Sequence, residues 1–283
     1  MRTQPTTLTT GLAMGESPRW HDERLWLADW GTQQVVAVDL DGTSEVVIEV
    51  ETAPISIDWL PDGRLLVVSG GEGRLLRREP DGSLVTHADL APLSTHAWNE
   101  IVVDRRGNAY VNTIGFDFAT GQDAASGSVA LVRPDGSTRL VADGVSFPNG
   151  MALTPDDTTL ILAESYANRL TAFDVDPDGG LSNRRVWADL GDGYPDGICL
   201  DAEGAVWYAD VPNRRCVRVR EGGEILQTVD VDRGCFACML GGPGVTTLFV
   251  VAAEWSGPDS MVGGEPTGRV LTVEAPAPGA GRP

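Results

Sequence analysis

Short apolar runs separated by turn residues follow one another along the whole chain. Val, Ile, Leu and Trp are concentrated in runs of roughly four to seven residues, and the runs end at Pro, Gly, Asp or Asn. This pattern is typical of β-strands, and almost no helical periodicity is present. The segments LPDGR, RPDGS and DPDGG place Pro and Gly where tight turns require a fixed or a positive φ. The pattern therefore predicts an all-β protein.

The strands fall into a weak repeat of roughly 40 to 50 residues, which is the period of propeller blades. Six copies begin near Glu16, Ile55, Asn99, Asn149, Asp196 and Cys235. A lone four-stranded sheet cannot bury both of its faces, so the copies must stack. We therefore predict a six-bladed β-propeller with four antiparallel strands per blade, as a single domain over residues 1–283. A β-sandwich is the alternative.

The two ends of the chain carry separate expectations. The segment LTTGLA at 8–13 is predicted to be the outer strand of the last blade, which closes the ring. Residues from about 275 to 283 are predicted to form a flexible tail. The N-terminus lacks the basic-then-apolar order of a secretory signal, and no apolar run approaches the ~20 residues of a membrane helix. We expect a cytoplasmic protein with no membrane partner, either a monomer or a homodimer.

Charge and cysteine content argue against two kinds of ligand, nucleic acid and a cysteine-bound zinc ion. The formal net charge of −20 argues against nucleic acid, because a phosphate backbone requires the opposite sign. Cys235 and Cys238 form a C-x-x-C motif, but no second pair and no nearby His completes a zinc site. Their apolar surroundings, CFACML, favour small buried thiols in a strand.

The first residues of each innermost strand of a propeller face the central channel. The repeat places six residues there: Glu16, Ile55, Asn99, Asn149, Asp196 and, approximately, Phe236. Four of them carry side-chain oxygens, and buried carboxylates require a partner. Glu16, Asn149 and Asp196 suit Ca²⁺, Mg²⁺ or Mn²⁺ better than Zn²⁺. The alternative is that the Asn-Gly and Asp-Gly pairs at 149–150 and 196–197 are turns.

Four segments resemble one known family in the same order along the chain. They are GESPRW at 15–20, WNEIVVDRRGNAYV at 98–111, FPNGMALTPDDTTL at 147–160 and YPDGICLDAEGAVWYA at 194–209. The family comprises gluconolactonase, senescence marker protein (regucalcin) and luciferin-regenerating enzyme. The resemblance implies one divalent metal ion on the channel axis, with Ca²⁺ first among the candidates and Mg²⁺, Mn²⁺, Zn²⁺ and Fe²⁺ as alternatives.

The resemblance also implies roles for individual residues. Glu16, Asn149 and Asp196 would bind the metal, Asn99 would contact the substrate or a metal-bound water, and Asp196 would be the general base. The expected activity is metal-dependent hydrolysis of a lactone or small ester, in which the carbonyl is polarised and an activated water attacks. The alternatives are a phosphotriesterase-type hydrolase on the same site and a non-enzymatic calcium-binding propeller.

Two positions depart from the sugar-lactone members of the family. Ala97 replaces their arginine, which removes five hydrogen-bond donors, and Glu100 replaces an aspartate. Aromatic residues nearby predict a more apolar site, and residues 115–127 are predicted to be a lid that interrupts blade three. Asp117 in this segment is expected to reach the metal through water. The residues expected to contact substrate are Asn99, Glu100, Trp98, His96, Phe116, Asp117 and Phe147, with Phe118 close by.

Overall fold

The computed structural model describes residues 4–257 and 266–281, in which 24 strands form six four-stranded sheets. The first strand, β1 (Thr6–Leu12), belongs to the last sheet. Blade 1 contains β2 (Gly15–His21), β3 (Arg24–Asp29), β4 (Gln34–Val38) and β5 (Ser44–Glu49). Blade 2 contains β6 (Ile55–Trp59), β7 (Leu65–Ser69), β8 (Arg74–Arg78) and β9 (Leu84–Asp89). Blade 3 contains β10 (Trp98–Val103), β11 (Ala109–Thr113), β12 (Gly127–Val132) and β13 (Thr138–Val145).

The remaining blades follow the same order. Blade 4 contains β14 (Pro148–Leu153), β15 (Thr159–Glu164), β16 (Arg169–Val175) and β17 (Leu181–Asp189). Blade 5 contains β18 (Pro195–Leu200), β19 (Val206–Asp210), β20 (Arg215–Val219) and β21 (Ile225–Asp230). Blade 6 contains β22 (Gly234–Gly241), β23 (Thr247–Ala253), β24 (Gly268–Glu274) and β1. Two short 3₁₀ turns occur at Ser165–Ala167 and Pro243–Val245.

The sheets form a closed ring. Each inner strand contacts the inner strand of the next blade, from β2 through β6, β10, β14 and β18 to β22, and β22 contacts β2 again. This arrangement confirms the predicted six-bladed β-propeller with four antiparallel strands per blade. No helix within residues 4–257 and 266–281 is long and apolar enough to cross a membrane.

The ring is closed by a pairing between the two ends of the chain. Strand β1 pairs antiparallel with β24, and the pairing runs from Thr6 opposite Thr272 to Leu12 opposite Gly268. The predicted N-terminal closing strand is therefore confirmed. Strand β1 is the outermost of the four strands of blade 6, so this long-range pairing completes that sheet.

Backbone hydrogen bonds join the C-terminal residues, 275–281, to blades 5 and 6, against which these residues lie. Ala280 N donates to Leu200 O at 3.0 Å, and Gly279 N donates to Val245 O at 2.9 Å. The flexibility expected for residues from about 275 to 283 stays a prediction, which these satisfied backbone groups would oppose. Residues 282–283, with 1–3 and 258–265 of the predicted single domain, lie outside the described residues.

Aspartate and glycine determine the turns between strands, as at LPDGR. Asp62 Oδ1 accepts a hydrogen bond from Arg64 N at 3.1 Å, and Gly63 N donates to Leu60 O at 2.9 Å. Gly63 has φ of +84°, which a residue with a Cβ rarely adopts. The turn prediction from sequence is therefore confirmed at this position.

The four cysteines lie between blades 5 and 6 as free, buried thiols. Strand β22 contains Cys235 and Cys238 and is buried along its full length, as its apolar sequence predicts. The Sγ atoms of Cys199 and Cys238 are 3.9 Å apart. Burial raises the pKa of the Cys238 thiol, so the nucleophilic thiolate is disfavoured there.

Candidate metal centre

Irregular strand pairing marks the residues that face the channel mouth. In blade 1 the pairing of β2 with β3 shifts between Glu16 and Arg19. In blades 3, 4 and 5 the pairing of the inner strand shifts at the segments 98–101, 148–151 and 195–198. Such bulges turn side chains away from the regular alternation. Blade 2, whose channel residue is Ile55, has a regular inner pairing.

Two glycines allow the inner strands to approach one another beside the candidate ligands. A Cβ added at Gly150 would lie 2.6 Å from Ile198 N, and one added at Gly197 would lie 2.5 Å from Ala237 Cβ. Both glycines lie inside strands, β14 and β18, and not in turns. The Asn-Gly and Asp-Gly pairs are therefore parts of strands and not turns. In each pair the first residue supplies a polar side chain, and the glycine allows the neighbouring inner strand to pack closely.

Substitution of Gly197 by Ala is expected to lower the free energy of unfolding by about 1–3 kcal/mol, because the added methyl overlaps Ala237. Urea denaturation would measure the change. Gly180→Ala is the matched control, since a Cβ there would meet only the far ends of Asp and Arg side chains. Equal stability of the two variants would contradict the close-packing interpretation of Gly197.

Glu16, Asn149 and Asp196 meet at the floor of one large cavity, at the mouth of the channel. Glu16 is only 4% exposed. Asp196 accepts a hydrogen bond from the Asn149 side chain, while its Oδ1 atom is buried and has no hydrogen-bond partner in the described part of the chain. Asn99 is buried beside them, and its Nδ2 atom lies 3.5 Å from Pro148 O. The structure thus brings together the four oxygen-bearing residues that the repeat predicts.

Without a counter-charge, the site disfavours the ionised forms of the Glu16 and Asp196 carboxyl groups. Burial, followed by the neighbouring Asp196 and Glu100, raises the pKa of Glu16 well above its ordinary value. Burial, followed by Glu100 and Asp210, likewise raises the pKa of Asp196, and the hydrogen bond from Asn149 offsets part of that change. A cation at the floor would reverse these shifts, because it favours the charged form of each carboxyl group.

A buried ion pair lies below the floor, inside the channel. The Arg19 guanidinium donates through Nη2 to Ile101 O at 2.6 Å, and the same atom is 3.4 Å from Glu100 Oε2. Glu16, Asp196 and Glu100 contribute three negative charges when ionised, and Arg19 contributes one positive charge. The remaining two negative charges equal the charge that a divalent cation would balance.

The donor set therefore fits a hard divalent cation. It contains carboxylate and amide oxygens, one of them an orphaned buried oxygen, and neither thiolate nor imidazole nitrogen. Within residues 4–257 and 266–281, no group of three or more His, Cys, Asp or Glu side chains is arranged to hold a metal. The candidate centre would differ from such a group, because an asparagine would be one of its three ligands.

The cavity above the floor has a volume of about 610 Å³, and eight of the residues that line it are Phe, Tyr or Trp. We define the aromatic wall as Phe116, Phe118, Phe147, Tyr166 and Trp255. Within it, the rings of Phe147 and Tyr166 are 4.5 Å apart, and Phe118 stacks on Trp255 at 6.5 Å. Phe147 directly precedes β14 and has φ of +52°, an uncommon conformation for a bulky residue. This backbone turn presents the ring beside Asn149.

Most of the predicted substrate-contacting residues line this cavity: Asn99, His96, Phe116, Asp117 and Phe147. Two others do not. Trp98 is fully buried in the core between blades 2 and 3, and Glu100 points into the channel toward Arg19. The bulge between Trp98 and Ile101 explains the difference, because it leaves only Asn99 directed at the cavity. Asp117 is exposed on the loop at 115–126 and accepts a hydrogen bond from Thr120 N.

Several cavity residues are absent from the sequence prediction, although the repeat contains a signal for them. Trp30, Ile114, Ser165 and Val211 each directly follow the second strand of a blade, and all four line the cavity. Trp255 lies two residues beyond the second strand of blade 6. The second strand runs antiparallel to the inner strand, so its end lies at the same rim as the inner strand's first residues.

The fold and the site together define a six-bladed propeller with an oxygen-rich candidate metal centre at one end of its channel. The family model described as SMP-30/Gluconolactonase/LRE-like region matches residues 14–254, and the chain belongs to this family. The resemblance seen in the four sequence segments is thereby confirmed.

Individual relatives agree with this assignment. The chain is 29% identical to regucalcin of Xenopus laevis over 250 residues, which cover 85% of this chain and 83% of the relative. It is 28% identical to a pentonolactonase of Haloferax volcanii over 269 residues, or 92% of this chain and 88% of that protein. The structure of a calcium-binding protein, regucalcin, from Agrobacterium tumefaciens superposes with a TM-score of 0.77 at 22% identity, covering 99% and 96% of the two chains.

Proposed function

We propose that this protein is a metal-dependent lactonase whose active site is the cavity floor formed by Glu16, Asn149, Asp196 and Asn99. The observation that carries the proposal is the convergence of two buried carboxylates and an amide, with one orphaned oxygen, beneath a cavity of small-molecule size. Membership in a family that includes gluconolactonase, and similarity to a pentonolactonase, support lactones as the substrates.

Glu16, Asn149 and Asp196 would hold one divalent cation, for which we propose Ca²⁺. The similar structure of a calcium-binding regucalcin and the all-oxygen donor set support this choice. When bound, the cation would supply Lewis-acid polarisation of the lactone carbonyl.

The chain's own groups would carry out the remaining steps. The Asn99 amide would orient the lactone at the floor. Asp196 Oδ1, which has no hydrogen-bond partner among the described residues, would accept a proton from the attacking water. The water oxygen would bond to the carbonyl carbon, the ring C–O bond would break, and the proton held by Asp196 would pass to the leaving alkoxide. The product would be a hydroxy acid.

Removal of the cation is expected to reduce lactone opening to the uncatalysed rate. A pH-stat assay with γ- and δ-lactones, run before and after exhaustive chelation and after Ca²⁺ add-back, measures this effect. Calorimetric titration of the metal-free protein should show one site per chain, and Glu16→Gln should weaken binding at that site, because it removes one ligand charge.

Three other results would each contradict a different part of the proposal. Full activity in protein shown to be free of metal would refute the metal dependence. Tight Ca²⁺ binding without turnover of any lactone or other ester would indicate a calcium-binding propeller in place of an enzyme. Turnover limited to phosphotriesters would replace the lactonase proposal with a phosphotriesterase.

A further inference from the structure

We infer that the cavity selects lactones with an apolar substituent, such as an alkyl or aryl group, over polyhydroxylated sugar lactones. This inference rests on the proposed function and concerns the part of the substrate that does not react. The floor is polar and would hold the lactone ring, whereas the aromatic wall would hold whatever extends from that ring toward solvent.

The aromatic wall is continuous from blade 3 across to blade 6. Phe116 lies 5.7 Å from Phe147, and Phe118 lies 5.3 Å from Phe147, with both pairs in edge-to-face geometry. At the far side Trp255 lies 5.7 Å from Phe236. Rings joined in this way present a single apolar surface to the cavity, and contact with that surface removes apolar substrate area from water.

Cationic donors suited to sugar hydroxyls are absent from this part of the molecule. The chain contains no lysine, and no arginine lines the cavity within the described residues. Ala97, which does line the cavity, presents only a methyl group. A sugar lactone would therefore bring hydroxyl groups against aromatic surface, and a polar group that loses water without gaining a partner binds poorly.

Three polar side chains of the cavity lining are already engaged in hydrogen bonds within the protein. Ser165 Oγ donates to Pro195 O at 2.7 Å, and Trp30 Nε1 donates to Ile55 O at 2.6 Å. Asp117, which also lines the cavity, accepts a hydrogen bond from Thr120 N within its own loop. These bonds hold the rim in place and make the three side chains less available to a hydroxylated substituent.

The test uses a series of γ-lactones that share one reacting ring and carry straight alkyl substituents of increasing length. Because the reacting ring is constant, its intrinsic reactivity is nearly constant along the series. We expect kcat/KM to rise by about three- to fourfold per added methylene until the cavity is filled. The gain should come mainly from a lower KM, because the alkyl chain makes the same contacts before and during reaction. Glucono-δ-lactone, corrected for its spontaneous opening, should give a kcat/KM at least about tenfold below that of the best alkyl lactone.

Two variants of the aromatic wall, one variant of Ala97 and one control test the origin of the preference. Phe118→Ser and Tyr166→Ser should flatten the dependence on chain length, since both rings line the cavity. Val186→Ser is the control, because Val186 is 57% exposed on the outer strand β17. Ala97→Arg should raise kcat/KM for glucono-δ-lactone relative to the alkyl lactones. Thermal melting of each variant checks that it is folded.

The outcomes distinguish this inference from the proposed function. If alkyl lactones are opened but kcat/KM does not depend on chain length, or if glucono-δ-lactone is the better substrate, the inference is wrong and the lactonase proposal stands. If no lactone in the series or among the sugars is opened, the proposed function itself fails. The wild-type series alone decides the first question, even if a wall variant does not fold.

Discussion

Replacing Asp196 with Asn is expected to lower kcat/KM for lactone opening by a factor of about 10² to 10⁴. Asparagine keeps the shape of the side chain and one oxygen for the cation, but it cannot take a proton from water. The fold decrease in kcat/KM should therefore exceed the fold decrease in metal affinity. Initial rates in a pH-stat, with calorimetric Ca²⁺ titration of the same preparation, measure the two quantities separately.

The matched control for this prediction is Asp135→Asn. Asp135 is exposed in the turn between β12 and β13, where it accepts a hydrogen bond from Ser137 N, and it does not line the cavity. We expect this variant to retain the activity of the wild type. An Asp196→Asn protein that keeps normal kcat/KM at saturating metal would remove Asp196 from the mechanism. A comparable loss in Asp135→Asn would show that the effect does not arise at the site.

Arg19→Met is expected to destabilise the metal-free protein by about 3–5 kcal/mol. The substitution leaves the Glu100 carboxylate buried without its partner, near the two carboxylates of the cavity floor. It also removes the hydrogen bond to Ile101 O. Urea denaturation in the presence of chelator measures the effect. Because the site gains one net negative charge, the folded variant should bind Ca²⁺ more tightly than the wild type does.

A double-mutant cycle and a surface control make this prediction specific. Adding Glu100→Gln to Arg19→Met should recover part of the lost stability, because the unpaired charge is removed. The exposed pair of Arg220 and Glu224, 2.6 Å apart, provides the comparison. Arg220→Met should cost less than about 1 kcal/mol. If Arg19→Met costs no more than that, the buried pair has no role in stability.

Repeat phase made the floor of the site predictable. A propeller places equivalent residues of each copy at equivalent positions, so alignment of the copies is enough to bring Glu16, Asn149 and Asp196 together. The same phase locates Trp30 and Trp255, whose importance emerges only when the ends of the second strands are aligned as well.

Side-chain positions that depend on non-local contacts could not be predicted from the sequence. Trp98 and Glu100 adjoin Asn99 in the sequence, yet a bulge directs one toward the core and the other toward Arg19, a residue 81 positions away. A local pattern carries no information about such a partner. The contacts of the C-terminal residues are likewise non-local, since Ala280 N and Gly279 N donate to Leu200 O and Val245 O.

The pairing of β1 with β24 has a consequence for how the protein is made. Thr6 O accepts a hydrogen bond from Thr272 Oγ1, across 266 positions of sequence. On the ribosome, β1 is synthesised first, but its partner emerges only after five complete blades. Pairing at such a separation has a large entropic cost of loop closure. It is therefore expected to form late and slowly. Until it forms, the outer edge of β24 is an open strand that can recruit another chain. Until the ring closes, the newly made protein therefore exposes an additional unpaired strand edge in blade 6.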